Sequence, residues 1–388
     1  MDARTFRGVA NSVSQVFLDG SSGEPMLPQV HDSWVKVQRA GWGDPLRLHR
    51  PGRLAAQALD QARELVAAAV GARPDEVVFT GSGAQASHAA IAGLALGRTR
   101  TGSVIITSTV DHSSVLAAAS AYGSRVGVGV DSQGRIDWAG WQHAVRDTGV
   151  AAACLQVANH EVGTLQPFHE VAAICETAGV PLVLDATSAL GRLDLADAGP
   201  WSVLTGAASA FGGPVGVGFL VIRKRSRWRA PYPTDDYQAG RWPGVPDVPA
   251  IFAAAVALEV WLHDGAEVGR RQTALIDRLR RGLASVPDVE VVGDPEHRVP
   301  HLLTFSALYV DGETLTLELD RAGFAVASGS ACSASSEHPS HVLAAMGALT
   351  HGNVRIGLTR TTTMAEIDAF LVALPPIVAE IRARLGAP

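Results

Sequence analysis

Lysine is almost missing from this chain. Lys and Arg together number 32 among 388 residues, yet only Lys36 and Lys224 are lysines, so chemistry that needs a side-chain amine has two candidates. Lys36 lies in the N-terminal arm, and Lys224 ends the apolar run Val217 to Ile222, which reads as a strand heading toward solvent. Cysteine is scarce too. Cys154, Cys175 and Cys332 stand too far apart for a metal cluster or a disulfide framework. Cys154 and Cys175 each sit in an apolar segment and are expected to be buried as small hydrophobes. Positive charge is not blocked anywhere, and a net charge of −6 spread along the chain argues against a nucleic-acid surface. Met1 to Gln15 holds no apolar stretch suited to a secretory signal, and no apolar run approaches the length of a membrane span. These shortages point to a cytoplasmic protein with no membrane partner.

What is present suits a large core. A hydrophobic fraction of 47% supports one large and one smaller domain. Apolar strand-like runs alternate with helical patterns, which predicts an α/β fold with a mainly parallel sheet covered by helices. Strands are expected at Val77 to Thr80, Ser103 to Ser108, Ala151 to Val157, Pro181 to Leu184 and Val217 to Ile222. Helical spacing runs from Ala55 to Val70, where Gly71 stops it. The stretch from Ala250 through Leu283 reads as the crossing into a smaller α+β domain that ends in a helix from Met364 to Leu385. The expected division is 16–255 for the large domain and 256–388, with 1–15, for the small one.

Several residues could carry chemistry. Cys332 stands in Ala327-Ser328-Gly329-Ser330-Ala331-Cys332-Ser333-Ala334, a setting of small residues that suits a nucleophile required to move. Gly81, Ser82 and Gly83 follow a strand and open a helix, so their N–H groups make either a plain turn or a phosphate site. Asp185 ends a strand, where a carboxylate caps the next helix or faces a ligand. His112, in Val110-Asp111-His112-Ser113-Ser114, is structural or a proton carrier. Asn159, in Ala158-Asn159-His160-Glu161-Val162-Gly163-Thr164, is a turn residue or a ligand contact. Arg360 closes the segment Arg355 to Arg360 and is either a surface charge or an anion grip.

Taken in order, these motifs resemble the cysteine desulfurases, pyridoxal-phosphate (PLP) enzymes of the class V aminotransferase group, from about Val16 to Ile367. The resemblance implies the PLP-dependent fold type I. It implies that Cys332 attacks the sulfur of a cysteine–PLP adduct and keeps it as a persulfide. Gly81, Ser82 and Gly83 would cradle the cofactor phosphate, Asp185 would pair with the pyridinium nitrogen, and His112 would stack on the ring and shuttle protons. Asn159 would support the ring oxygen and the substrate side, Ser188 stands where a glutamine touches that oxygen, and Arg360 would grip the substrate carboxylate. The segment Phe17-Leu18-Asp19-Gly20 resembles the family's opening segment near the substrate.

The chain departs from the family at a cluster of positions. Ala210 stands where the Schiff-base lysine belongs, Ser209 replaces the adjoining histidine, and Ala207, Ala84 and Val245 replace phosphate-binding hydroxyls. Two activities follow. In one, the protein mobilises sulfur from L-cysteine for iron–sulfur clusters or tRNA thiolation, handing it to an acceptor protein. In the other, it is a PLP-poor, catalytically degenerate relative that relays sulfur from a persulfide donor or serves as a binding subunit. The resemblance implies a homodimer, or a heterodimer with an active paralogue.

Overall fold

The computed structural model describes residues 15–40, 42–328 and 339–386. Cys332 therefore lies outside the described residues. Across the central sheet the strands run Val77–Thr80, Gly218–Ile222, Val203–Ala207, Leu182–Asp185, Val150–Gln156, Val104–Ser108 and Ser124–Val128. Gly218–Ile222 is antiparallel to both neighbours, and the other pairs are parallel.

The pleat explains why these strands read as unbroken apolar runs. Val78, Ile105, Cys154, Val183 and Val203 point into one core, whereas Phe79, Ile106, Leu155, Leu184 and Leu204 point into another. Both faces are buried, so both alternating sets are apolar. The helices Gly83–Gly97 and Ser113–Tyr122 cover the first face. The helices Arg50–Ala69, Phe168–Thr177 and the first half of Val248–Leu283 cover the second.

Val248–Leu283 is long and apolar enough to cross a membrane by composition, but most of that stretch is buried in the protein. Its later residues Leu275, Ile276, Leu279 and Leu283 enter a separate core with the helices Gly312–Arg321 and Met364–Leu385. An antiparallel sheet ordered Ala327–Ser328, Asn353–Gly357, Leu302–Ala307 and Val289–Val292 completes that lobe. The short strand Val16–Phe17 pairs in parallel with Phe324–Ala325, and Leu18 is buried beside it. A Cβ on Gly20 would lie 2.9 Å from the Leu358 carbonyl oxygen, so only glycine lets the N-terminal segment pass this close to the lobe.

The strands expected from the sequence form within one or two residues of their anticipated ends. Val203–Ala207 and Ser124–Val128 were not anticipated. The first is interrupted by Gly206, and the second is a sheet edge whose residues are exposed except Val128, so neither carries a strong apolar signal. Cys154 and Cys175 are buried, as their apolar segments suggested.

Candidate functional site

The parallel strands deliver their C-terminal ends to one cavity, the usual location for a ligand in an open α/β sheet. It has a volume of about 160 Å³ and is lined by Gly83, Ala84, His112, Gln156, His160 and Asp185, with Ser188 and Ala207. Its walls are therefore strand ends, helix starts and the turns between them.

Asp111 fixes one wall. Its buried carboxylate accepts the Ser108 N–H at 2.8 Å and the Gln156 N–H at 2.9 Å, tying the turn after Val104–Ser108 to the end of Val150–Gln156. Burial pushes its pKa up to about 8, although both N–H bonds favour the charged form. His112 follows as the N-cap of Ser113–Tyr122, with Nδ1 accepting the Ser114 N–H at 3.2 Å. That bond requires an unprotonated Nδ1, so neutral His112 carries its hydrogen on Nε2. Burial lowers the His112 pKa, with Arg355 and His341 acting in the same direction and Asp185 opposing.

Asp185 stands opposite. Its Oδ1 accepts the Thr187 N–H at 3.0 Å and the Thr187 hydroxyl at 2.6 Å. Among the described residues Oδ2 has no hydrogen-bond partner, which leaves a carboxylate oxygen for a ligand. Ser82 caps Gly83–Gly97, with Oγ accepting the Gln85 N–H at 3.1 Å and its carbonyl accepting the Ala86 N–H at 3.0 Å. The N–H groups of Gly83 and Ala84, at the start of the helix, have no partner among the described residues, and both residues line the cavity, an arrangement suited to an anion. Gly81 donates to Gln85 Oε1 at 2.9 Å and closes the turn instead of lining the cavity.

Other expected site residues take different positions. Asn159 is fully buried, its Oδ1 accepting the N–H groups of Glu161 and Val162 at 2.9 Å each and its Nδ2 donating to the Val110 carbonyl at 3.1 Å. Its side chain is spent on the turn, which is the structural reading of that residue. Arg360 is buried against the Trp261 ring, 4.6 Å from its centroid, and pairs with Asp264. It does not line the cavity. Ser209 and Ala210 lie in the turn Ala208–Phe211, also outside the lining, where the Ser209 carbonyl accepts the Glu24 N–H at 2.9 Å. Ser188 is in the lining.

Two residues passed over in the sequence lie close to the cavity chemistry. Arg355 is buried on Asn353–Gly357, donates from Nη2 to Ser22 Oγ at 3.2 Å, and keeps Nε without a partner. Ser22 in turn donates to Asp19 at 2.8 Å, so the opening segment props this guanidinium. His160 lines the cavity itself, with its ring 4.8 Å from that of His112. The available signals were the Arg355 that opens the segment ending in Arg360, and the His160-Glu161 pair inside the Asn159 turn.

Behind the cavity, Arg192 donates to the Ala210 carbonyl at 2.6 Å and pairs with Glu24 at 3.0 Å, both side chains being almost fully buried. Burial pulls the Arg192 pKa down to about 10 against the opposing pull of Glu24. The Glu24 pKa is raised by burial, partly offset by Arg192 and the Arg360 N–H. Glu24→Ala strands a buried guanidinium, so it is expected to cost about 3–5 kcal/mol. Urea unfolding checks this, and a loss under about 1 kcal/mol would mean that water reaches Arg192.

The family model described as aminotransferase class V matches residues 16–370. A cysteine desulfurase of Cereibacter sphaeroides is 35% identical over 382 residues, covering 96% of this chain and 97% of that protein. The cysteine desulfurase NifS of Azotobacter vinelandii is 33% identical over 385 residues, covering 95% and 94%. Among solved structures, a NifS-like protein superposes with a TM-score of 0.87 at 26% identity, covering 94% of this chain and all of that one.

Proposed function

Since the chain belongs to the class V aminotransferases, and within them to the cysteine desulfurases, we propose that it mobilises sulfur from L-cysteine as a persulfide on Cys332. The observation that carries this reading is the convergence of Asp185, the helix start at Gly83 and Ala84, and His112 on one cavity. These groups suit PLP of the fold type I family. The helix start would take the phosphate, Asp185 the pyridine nitrogen, His112 the ring face and Ser188 the ring oxygen. PLP, when bound, supplies an electron sink for bonds at the substrate's α-carbon.

The chain's own residues orient the amino acid. Arg355, rather than Arg360, is read as the carboxylate grip, because its charge acts on both His112 and His160 at the cavity and its Nε has no partner among the described residues, whereas Arg360 is paired with Asp264. His112 offers an Nε2–H donor. The persulfide then passes to an acceptor protein, in a cytoplasmic homodimer. Val215 and Val245, exposed at 90% and 63%, supply apolar surface for the second copy.

Sulfide release from L-cysteine with added PLP and a thiol reductant tests the reading. Release that depends on both L-cysteine and PLP supports it, and none at any PLP concentration overturns it. The grip is tested separately. Losing one charge-assisted contact of about 1.5–3 kcal/mol should raise the KM for L-cysteine roughly tenfold to a hundredfold in Arg355→Gln. Arg360→Gln, which breaks the Asp264 pair, should lower stability and leave KM nearly unchanged. The reverse pattern would return the role to Arg360.

A further inference from the structure

We propose that the Thr304 hydroxyl is a positioning group for the substrate, the joint through which the second lobe sets Arg355 against the cavity. The inference rests on the reading of Arg355 as the carboxylate grip. It accounts for how a residue of one lobe is aligned with Asp185, His112 and Gly83, which belong to the other.

The sheet register makes the connection. Thr304 on Leu302–Ala307 stands directly opposite Arg355 on Asn353–Gly357, and opposite residues of antiparallel strands project from the same face. Thr304 is fully buried, and its hydroxyl donates to the Glu161 carbonyl at 2.6 Å, in the turn that follows Val150–Gln156. The face that carries Arg355 therefore packs toward that turn. The residue before Glu161 in the turn, His160, lines the cavity.

Burial gives this one bond its leverage. Among the described residues the Glu161 carbonyl has no other donor, so a shift of the strand beyond hydrogen-bond reach strands two buried polar groups at once. The pair thus selects one spacing between the strand and the turn. The turn itself is a firm support. The Ser340 hydroxyl donates to Glu161 Oε2 at 2.5 Å, the Val299 N–H donates to the Gly163 carbonyl at 2.9 Å, and Asn159 braces the turn from within. The Arg355 guanidinium is steadied separately, by Ser22 Oγ at 3.2 Å. Ser22 holds the tip of the side chain, and Thr304 sets the strand from which it springs.

Thr304→Val keeps the branched shape and removes the donor, while the Ser340 and Val299 bonds remain to hold the fold. With PLP added, its KM for L-cysteine should rise about tenfold, because Arg355 is displaced but not lost. Its PLP affinity should stay native, since the groups read as holding PLP lie outside the displaced strand. Thr304→Ser, which keeps the hydroxyl, should restore the native KM. A second measurement needs no cofactor. Burial lowers the His112 pKa, with Asp185 opposing and His341 and Arg355 adding to the effect. Burial also lowers that of His160, and His112, Arg355 and His341 act in the same direction. Histidine ring NMR, followed from about pH 4 to pH 8, should therefore show both rings protonating at higher pH in Arg355→Gln. Thr304→Val should move them part of the way, and Thr304→Ser should match the native protein. A native KM in Thr304→Val, or a loss of PLP affinity as large as the rise in KM, overturns the proposal. Native protein that releases no sulfide overturns the functional reading instead. The titration then decides the joint alone, and histidines in Thr304→Val that titrate as in the native protein overturn it.

Discussion

Replacing Cys332 with serine is expected to abolish the protein persulfide formed from L-cysteine. The serine hydroxyl is nearly the same size but ionises far above neutral pH, so it cannot attack sulfur. The remaining thiols cannot stand in. Cys154 is buried in the central sheet, and burial, aided by the charges of Asp111 and Asp185, raises its pKa well above the ordinary value. Cys175 is buried in Phe168–Thr177, where burial pushes its thiol up to about 12. Neither forms a useful fraction of thiolate at neutral pH. Mass spectrometry after incubation with L-cysteine and PLP should find one added sulfur on Cys332 in the native protein and none in Cys332→Ser. A persulfide on Cys154 or Cys175 would overturn the assignment.

The sequence shows the frame of this site better than its side-chain geometry, for a physical reason. Strand ends such as Asp185 and helix caps such as Ser82 and His112 are placed by local patterns, and period-two apolar runs and turn residues reveal those patterns. What a side chain does after that depends on partners far along the chain. Asn159 reads equally as a ligand contact or a turn residue until the Glu161, Val162 and Val110 backbone groups are seen to hold its amide in the turn. Arg360 looks like the carboxylate grip until Asp264, 96 residues earlier, and Trp261 claim it. Arg355 and His160 were hidden for the opposite reason. Their unpartnered nitrogens become visible only after every other nearby donor and acceptor has been matched. The long helix is legible as an apolar run, but the division of one continuous 36-residue helix between two cores is a tertiary fact.

The double variant Ala210→Lys with Ser209→His should gain a borohydride-reducible link to PLP and raise sulfide release by about a hundredfold or more. The native chain should form no such link, because Lys36 and Lys224 are both exposed and neither lines the cavity. The turn Ala208–Phe211 is already held for the change, since Arg192 anchors the Ala210 carbonyl and the Glu24 N–H anchors that of Ser209. Both anchors hold backbone carbonyls of the turn, so new side chains at 209 and 210 leave them in place. Phosphate binding sets the limit on the gain. Ala84 and Ala207 line the cavity as methyl groups, and each missing charge-assisted contact withholds about 1.5–3 kcal/mol. Ala207 is the position to alter next, because a Cβ on Gly83 would sit 3.0 Å from its methyl, which places it against the helix start expected to take the phosphate. Adding Ala207→Ser to the double variant should therefore tighten PLP further, in a spectroscopic titration, without altering the reducible link. If the double variant folds yet fixes no PLP under borohydride, while the triple variant does, the missing phosphate contacts outweigh the missing amine. If neither fixes PLP, the turn does not direct a side chain at position 210 toward the cofactor, and the proposed placement of PLP against Asp185 fails with it.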